Sequence, residues 1–157
     1  MLGQTEYVEP DKKFYLEDIF NVLMGLIEGS MGAVESNLFS FQCSRNSSAV
    51  RADITLMAAK RAANEQADAI SYFVKVLQRV DDLTINCVQA YDTEITSDDA
   101  FSTEEIGTNI LYNAGFMFTN ILDIIYYDYT DTNPYWYYVA YRMGDFFIRF
   151  FIRDEDL

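Results

Sequence analysis

Between Gly32 and Gly107 the chain contains neither proline nor glycine. The two residues that most readily interrupt a helix are thus missing from nearly half the sequence. Within that tract Val50, Ile54, Met57, Ala58, Ile70, Phe73, Val74, Leu77, Val80, Thr84, Cys87, Val88 and Tyr91 recur with a period of 3.6. This spacing predicts a helix from Ser47 to about Tyr91. At 1.5 Å per residue it would be about 65 Å long, so a kink or break is expected, placed at Asp81 and Asp82. The alanines Ala58, Ala59, Ala62, Ala63, Ala67 and Ala69 would let a neighbouring helix come close. The fold class that follows is all-α, a bundle of four or five helices with a long central helix.

The flanking segments supply the other helices. From Asp11, the residues Leu16, Ile19, Phe20, Leu23, Leu26 and Ile27 form a helical stripe that continues to Met31. Gly29 or Gly32 is expected to stop this helix, and Gly25 to admit another backbone. Gly25 and Gly29 also match the spacing of a membrane dimer motif. Asp18 and Glu28 in the same segment favour close packing in a soluble bundle instead. Ala33 to Ser48 reads as a loop holding Cys43, pinned to the core by Leu38, Phe39 and Phe41. Asp92 to Ala100 reads as an acidic connection. Ser102 and Glu105 form a capping-box pattern ahead of Ile106, Ile110, Leu111, Ala114, Met117, Ile121, Leu122 and Ile125. Asn133 as cap and Pro134 at the first helical position open the last helix. Residues 1–10 are read as an N-terminal arm and 11–157 as one helical domain.

The last helix carries too much aromatic surface for one face to hide. Of the 12 phenylalanines, 12 tyrosines and one tryptophan, most lie after residue 100. Within PYWYYVAYRMGDFFIRFFI, Pro134 to Ile152, only Arg142, Asp145 and Arg149 interrupt the apolar surface. A helix with one core-facing stripe needs far less. Tyr and Trp combine area with a polar handle and are enriched at interfaces. Tyr126, Tyr127, Tyr129, Tyr135, Trp136 and Tyr138 are therefore the candidates for a self-association interface.

Charge and residue usage argue against most chemistry. A net charge of −14 is the wrong sign for nucleic acid, which needs a basic surface. Histidine, the commonest general base and metal ligand, is absent. Ser30 lies in a Gly-Ser-Met-Gly run one residue short of a nucleophile elbow, and no histidine could activate it. No phosphate-binding fingerprint occurs. The acidic pairs Asp81-Asp82, Asp98-Asp99 and Glu104-Glu105 read as solvated or helix-capping carboxylates. The run Asp128, Asp131, Asn133 lacks the glycine and terminal glutamate of a calcium loop. No catalytic residue, metal site or cofactor is assigned. For a membrane span, residues 106–125 are the best window, but Asn109, Asn113, Asn120 and Asp123 spoil it.

Cys43 and Cys87, 44 positions apart, suit neither a zinc site nor a redox pair. A disulfide between them is the favoured reading, with two buried thiols as the alternative. The sequon Asn46-Ser47-Ser48 would permit glycosylation in a secretory setting. The opening MLGQTEYVEP has no apolar signal core, which leaves a processed secreted chain or a cytoplasmic one. FNVLMGLIEG (Phe20 to Gly29), the two cysteines, and YRMGDFFIRFF (Tyr141 to Phe151) with Gly144-x-x-Phe147 together resemble small secreted two-cysteine helical proteins abundant in ciliate protists. That resemblance implies a secreted helical module and no catalytic residue. The expected function is a non-catalytic, extracellular, self-assembling structural subunit whose partner is itself, in a closed oligomer or a filament. The alternative is a helical module that binds a lipid or another apolar small molecule.

Overall fold

The computed structural model describes residues 13–32, 38–95, 101–126 and 134–152. It is all-α: five helices, and no strand among the described residues. They are α1 (Leu16–Met31), α2 (Leu38–Ala62), α3 (Gln66–Glu94), α4 (Thr103–Ile125) and α5 (Tyr135–Ile148). Neighbours pack in the spatial order α3, α2, α1, α5, α4. The anticipated arrangement around one long central helix is corrected. The long tract folds back on itself as the α2/α3 hairpin, and α1 takes the middle position. The N-terminal arm, residues 1–10, lies outside the described residues.

The hairpin bends at Ala63 to Glu65, not at Asp81 and Asp82, which are exposed within α3. Asn64 has φ 59°, the left-handed conformation that Asn tolerates better than most residues. Its amide donates to the Arg61 carbonyl at 3.1 Å, and the Glu65 amide donates to Lys60 at 2.9 Å. This is the bond pattern of a Schellman stop. Across the hairpin, Lys60 Nζ pairs with Glu65 at 2.5 Å, and Arg79 of α3 pairs with Asp53 of α2 at 2.8 Å.

α2 begins ten residues before Ser48, inside the stretch expected to be a loop. Its buried seam runs Ser40, Cys43, Ser47, Val50, Ile54 and Met57, alternating three- and four-residue steps. Hydrophobic periodicity misses the first half because small polar residues fill it. Phe41, expected to pin the segment to the core, is largely exposed. The opposing seam on α3 is Ala69, Val76, Leu83, Cys87 and Ala90. Cys43 and Cys87 meet between the two as a disulfide with Cα atoms 4.8 Å apart.

α1 reaches its neighbours through polar and small residues. Toward α2, Glu17 receives two bonds from Arg61, Nε at 3.2 Å and one from Nη2, and Arg51 pairs with Glu28 at 3.4 Å. Met24 lies under the Ser47 hydroxyl at 3.6 Å. Toward α5, Gly25 and Gly29 let the backbone of Tyr137 to Tyr141 lie directly on α1. A Cβ at Gly25 would sit 2.8 Å from Ala140 Cβ and 2.9 Å from the Tyr141 nitrogen. One at Gly29 would stand 2.7 Å from the Tyr141 carbonyl carbon, and one at Gly144 3.0 Å from Leu26 Cα. Of the two glycines expected to stop α1, Gly29 is internal and Gly32 is the C-cap, with φ −61° instead of a left-handed conformation. Likewise Pro134 is the cap of α5 and not its first helical residue.

The glycine contact yields a test with an internal control. Gly29→Ala and Gly144→Ala must push backbone from backbone, and are expected to cost about 3 kcal/mol or more in urea unfolding. Gly115→Ala, where a Cβ would meet nothing within 4 Å, should instead gain up to ~1 kcal/mol from helix propensity. Equal effects at all three positions would contradict this account of the α1–α5 contact.

Candidate interaction surface

Helix α4 is turned inside out. Ser102 caps its start, accepting from the Glu105 amide at 3.2 Å. Beyond the cap, the residues it buries are Asn109, Asn113, Met117 and Asn120. Asn109 and Asn113 are 1% and 0% exposed. In contrast, Leu111 is 81%, Phe118 61% and Ile125 64% exposed. An amphipathic helix ordinarily does the reverse.

The buried asparagines have defined work at the end of α5. From the C-cap Arg149 onward the chain leaves the helix, and its buried carbonyls need donors from elsewhere. Asn113 Nδ2 donates to Arg149 O at 3.0 Å and to Ile152 O at 2.7 Å. Asn109 Nδ2 donates to Phe150 O at 3.0 Å, and Asn120 Nδ2 donates to the Asp145 carboxylate. Asp145 also receives Arg149, whose Nη1 donates to Asn113 Oδ1 at 3.4 Å. The Arg149 guanidinium lies 4.4 Å from the centre of the Phe116 ring. Phe101 meets Phe151 with ring centres 5.1 Å apart. Carbonyl capping therefore fixes which face of α4 meets α5, and the apolar seam is left on the outside.

That seam is Gly107, Leu111, Ala114, Phe118, Ile121 and Ile125, with steps of 4, 3, 4, 3 and 4. It has the spacing of a coiled-coil interface. No charged residue occurs from Ile106 to Leu122. At Gly107 and Gly115 the surface is open enough for a neighbour to approach the backbone.

A second feature is a cleft of about 270 Å³ where α1, α3 and α5 meet, lined by Leu26, Ile27, Ser30, Tyr91, Gly144, Phe147, Ile148 and Phe151. Its polar groups are satisfied locally. The Ser30 hydroxyl is bonded to the Tyr91 hydroxyl and donates to Ile27 O at 3.0 Å. Burial raises the Tyr91 phenol above its ordinary value, partly offset by Ser30. Burial, with Glu28 nearby, raises Tyr137 further, while the Arg51 guanidinium 3.9 Å over its ring opposes this.

The six aromatics named from sequence fall into three groups. Tyr126 is fully exposed at the end of α4. Tyr135, Trp136 and Tyr138 are half-buried and engaged within the chain. Trp136 Nε1 donates to Lys13 O at 3.2 Å, and its ring meets Phe14 and Tyr135 edge-on at 5.4 and 5.2 Å. Arg142 lies 5.4 Å over Tyr138. Tyr127 and Tyr129 lie outside the described residues, as do Asp98, Asp99, Asp128, Asp131 and Asn133. Asn46 sits within α2 and is half-buried. Among the described residues no three Cys, Asp or Glu converge as metal ligands. No described helix is long and apolar enough to cross a membrane. Compared with known protein families, curated protein sequences and solved structures, the chain matches none.

Leu111 and Ile125 belong to the apolar stripe that spacing alone would turn toward the core, and Phe118 is not singled out by that stripe, so none of the three reads as a surface residue from sequence. The signal was present: Asn109, Asn113 and Asn120 share the opposite face and were read only as obstacles to a membrane span. Replacing Asn113 with alanine would strip the Arg149 and Ile152 carbonyls, just past α5, of their partner, at about 1–3 kcal/mol. Amide exchange across α4 should accelerate markedly in that variant. Unchanged exchange would mean that the asparagines do not hold α4 in place.

Proposed function

We propose that this protein is a non-catalytic structural subunit that self-assembles through apolar helix faces. The observation that carries the reading is the inverted α4, which buries asparagines and offers a charge-free, heptad-spaced seam to its surroundings. Large exposed apolar surfaces on folded chains are normally covered by a partner. A second copy suits this seam because the stretch from Ile106 to Leu122 carries no charge and so adds nothing to the repulsion that a chain of net charge −14 creates elsewhere. The Cys43–Cys87 disulfide supports an extracellular setting, since such bonds persist in oxidising compartments.

The cleft between α1, α3 and α5 favours a second reading, a module holding a lipid or other apolar small molecule. At about 270 Å³ it falls just below the roughly 300–1,000 Å³ usual for ligand sites, which places this reading second. Organic extraction and mass spectrometry of purified protein would reveal such a ligand.

Negative-stain electron microscopy and sedimentation velocity test the first reading together. Wild-type protein is expected to form regular oligomers, rings or fibres, and Phe118→Asp to reduce them to monomers with an unchanged helical circular dichroism spectrum. Assemblies that survive Phe118→Asp would exclude the α4 seam as the contact.

A further inference from the structure

The α4 seam has a counterpart on the same molecule. On α1, the exposed Leu16, Ile19 and Leu23 continue to Leu26 and Ser30 in steps of 3, 4, 3 and 4. On α3, the exposed Ile70, Val74, Leu77 and Val88 lie on one face that ends at Tyr91, interrupted by Asp81 and Thr84. The two helices meet between these seams, through the Phe20 and Phe73 rings at 5.9 Å and the Ser30–Tyr91 hydroxyl bond. Each helix turns a different flank to α2: Glu17, Met24 and Glu28 on α1, and Val76, Leu83 and Cys87 on α3. At 100° per residue, both exposed seams lie on the side away from α2. α1 and α3 thus form an apolar groove, open along its length and closed at one end by Phe147 of α5 and by Phe151 just beyond it. On one side of the α1–α3 pair sits α2, and the other side has room for a helix.

We infer that α4 of a second copy is that helix, an inference that rests on the self-assembly reading above. Three observations select it. The α4 seam from Gly107 to Ile125 and the α3 seam from Ile70 to Val88 have equal length, about 27 Å at 1.5 Å per residue. Both follow the heptad spacing that lets knobs from one helix enter holes formed by others. The exposed area is also close to what a specific contact needs. Leu111, Phe118, Ile121, Leu122 and Ile125 are 36% to 81% exposed. Taking ~200 Å² for a large side chain, they offer roughly 570 Å², near the lower end of the about 600–1,000 Å² per partner that a specific interface buries. Within its own chain α4 is held on α5 by Asn109, Asn113 and Asn120, with the seam facing away.

Donor helix and acceptor groove are different surfaces of one molecule, so the contact is heterologous. Each copy that gives its α4 still has a free groove, and the association grows into a ring or a filament. A pair of blocked variants tests this directly. Leu23→Glu with Leu77→Glu blocks the groove; Leu111→Glu with Phe118→Glu blocks the helix. All four side chains are exposed in the single chain, and circular dichroism confirms that each variant is folded. By light scattering after size exclusion, each variant alone is expected to be monomeric. An equimolar mixture is expected to give a one-to-one dimer, because one intact groove and one intact α4 remain. A groove variant that assembles like wild type would overturn the inference in favour of α4 pairing with α4, leaving self-assembly standing. So would a mixture that stays monomeric while wild type assembles. Monomeric wild type under the same conditions would overturn the self-assembly reading itself.

Discussion

The close contact of α1 with α5 through Gly25, Gly29 and Gly144 governs what the rest of the surface can be. Two backbones approach this closely only where side chains are missing, so α1 must turn its glycine face to α5. Its flank toward α2 is then committed to Glu17, Met24 and Glu28. The apolar stripe of Leu16, Ile19 and Leu23 is left outside as a consequence. At the other end of α5, the same logic acts through hydrogen bonds. Unpaired carbonyls at Arg149, Phe150 and Ile152 require donors, Asn109 and Asn113 of α4 supply them, and the apolar face of α4 turns outward.

These inversions are the reason the sequence is legible in part. Helical class, the helix start at Ser102 and the cysteine pairing follow from spacing, capping and elimination. Burial does not. Apolar periodicity marks an amphipathic helix but cannot say whether the stripe meets its own chain or another one. On α1 and α4 the stripe was assigned to the core, and the structure places much of it at the surface. The start of α2 was hidden for the opposite reason, since Ser40 and Ser47 are fully packed positions that hydropathy reads as loop. Asn64 carries no signal as strong as a glycine, so the sequence points to the Asp81-Asp82 pair for the break that the structure places at Asn64.

The aromatic C-terminal segment also changes meaning. Trp136 and Tyr138 are engaged within the chain, while the exposed apolar faces of α4, α1 and α3 are mainly aliphatic, with Phe118 among them. A strongly acidic surface surrounding apolar seams would keep subunits apart except where the seams align. Added salt should screen the repulsion and favour assembly.

Hydroxyl-radical footprinting of the unmodified protein at low and high concentration tests the central claim most directly, because it reads the exposure of each seam without any substitution. The account predicts that Leu111, Phe118, Leu23 and Leu77 become protected together as concentration rises, while exposed Phe41 on α2 keeps its reactivity. Seam residues as reactive at high concentration as at low would show that these faces remain in water, and would contradict it.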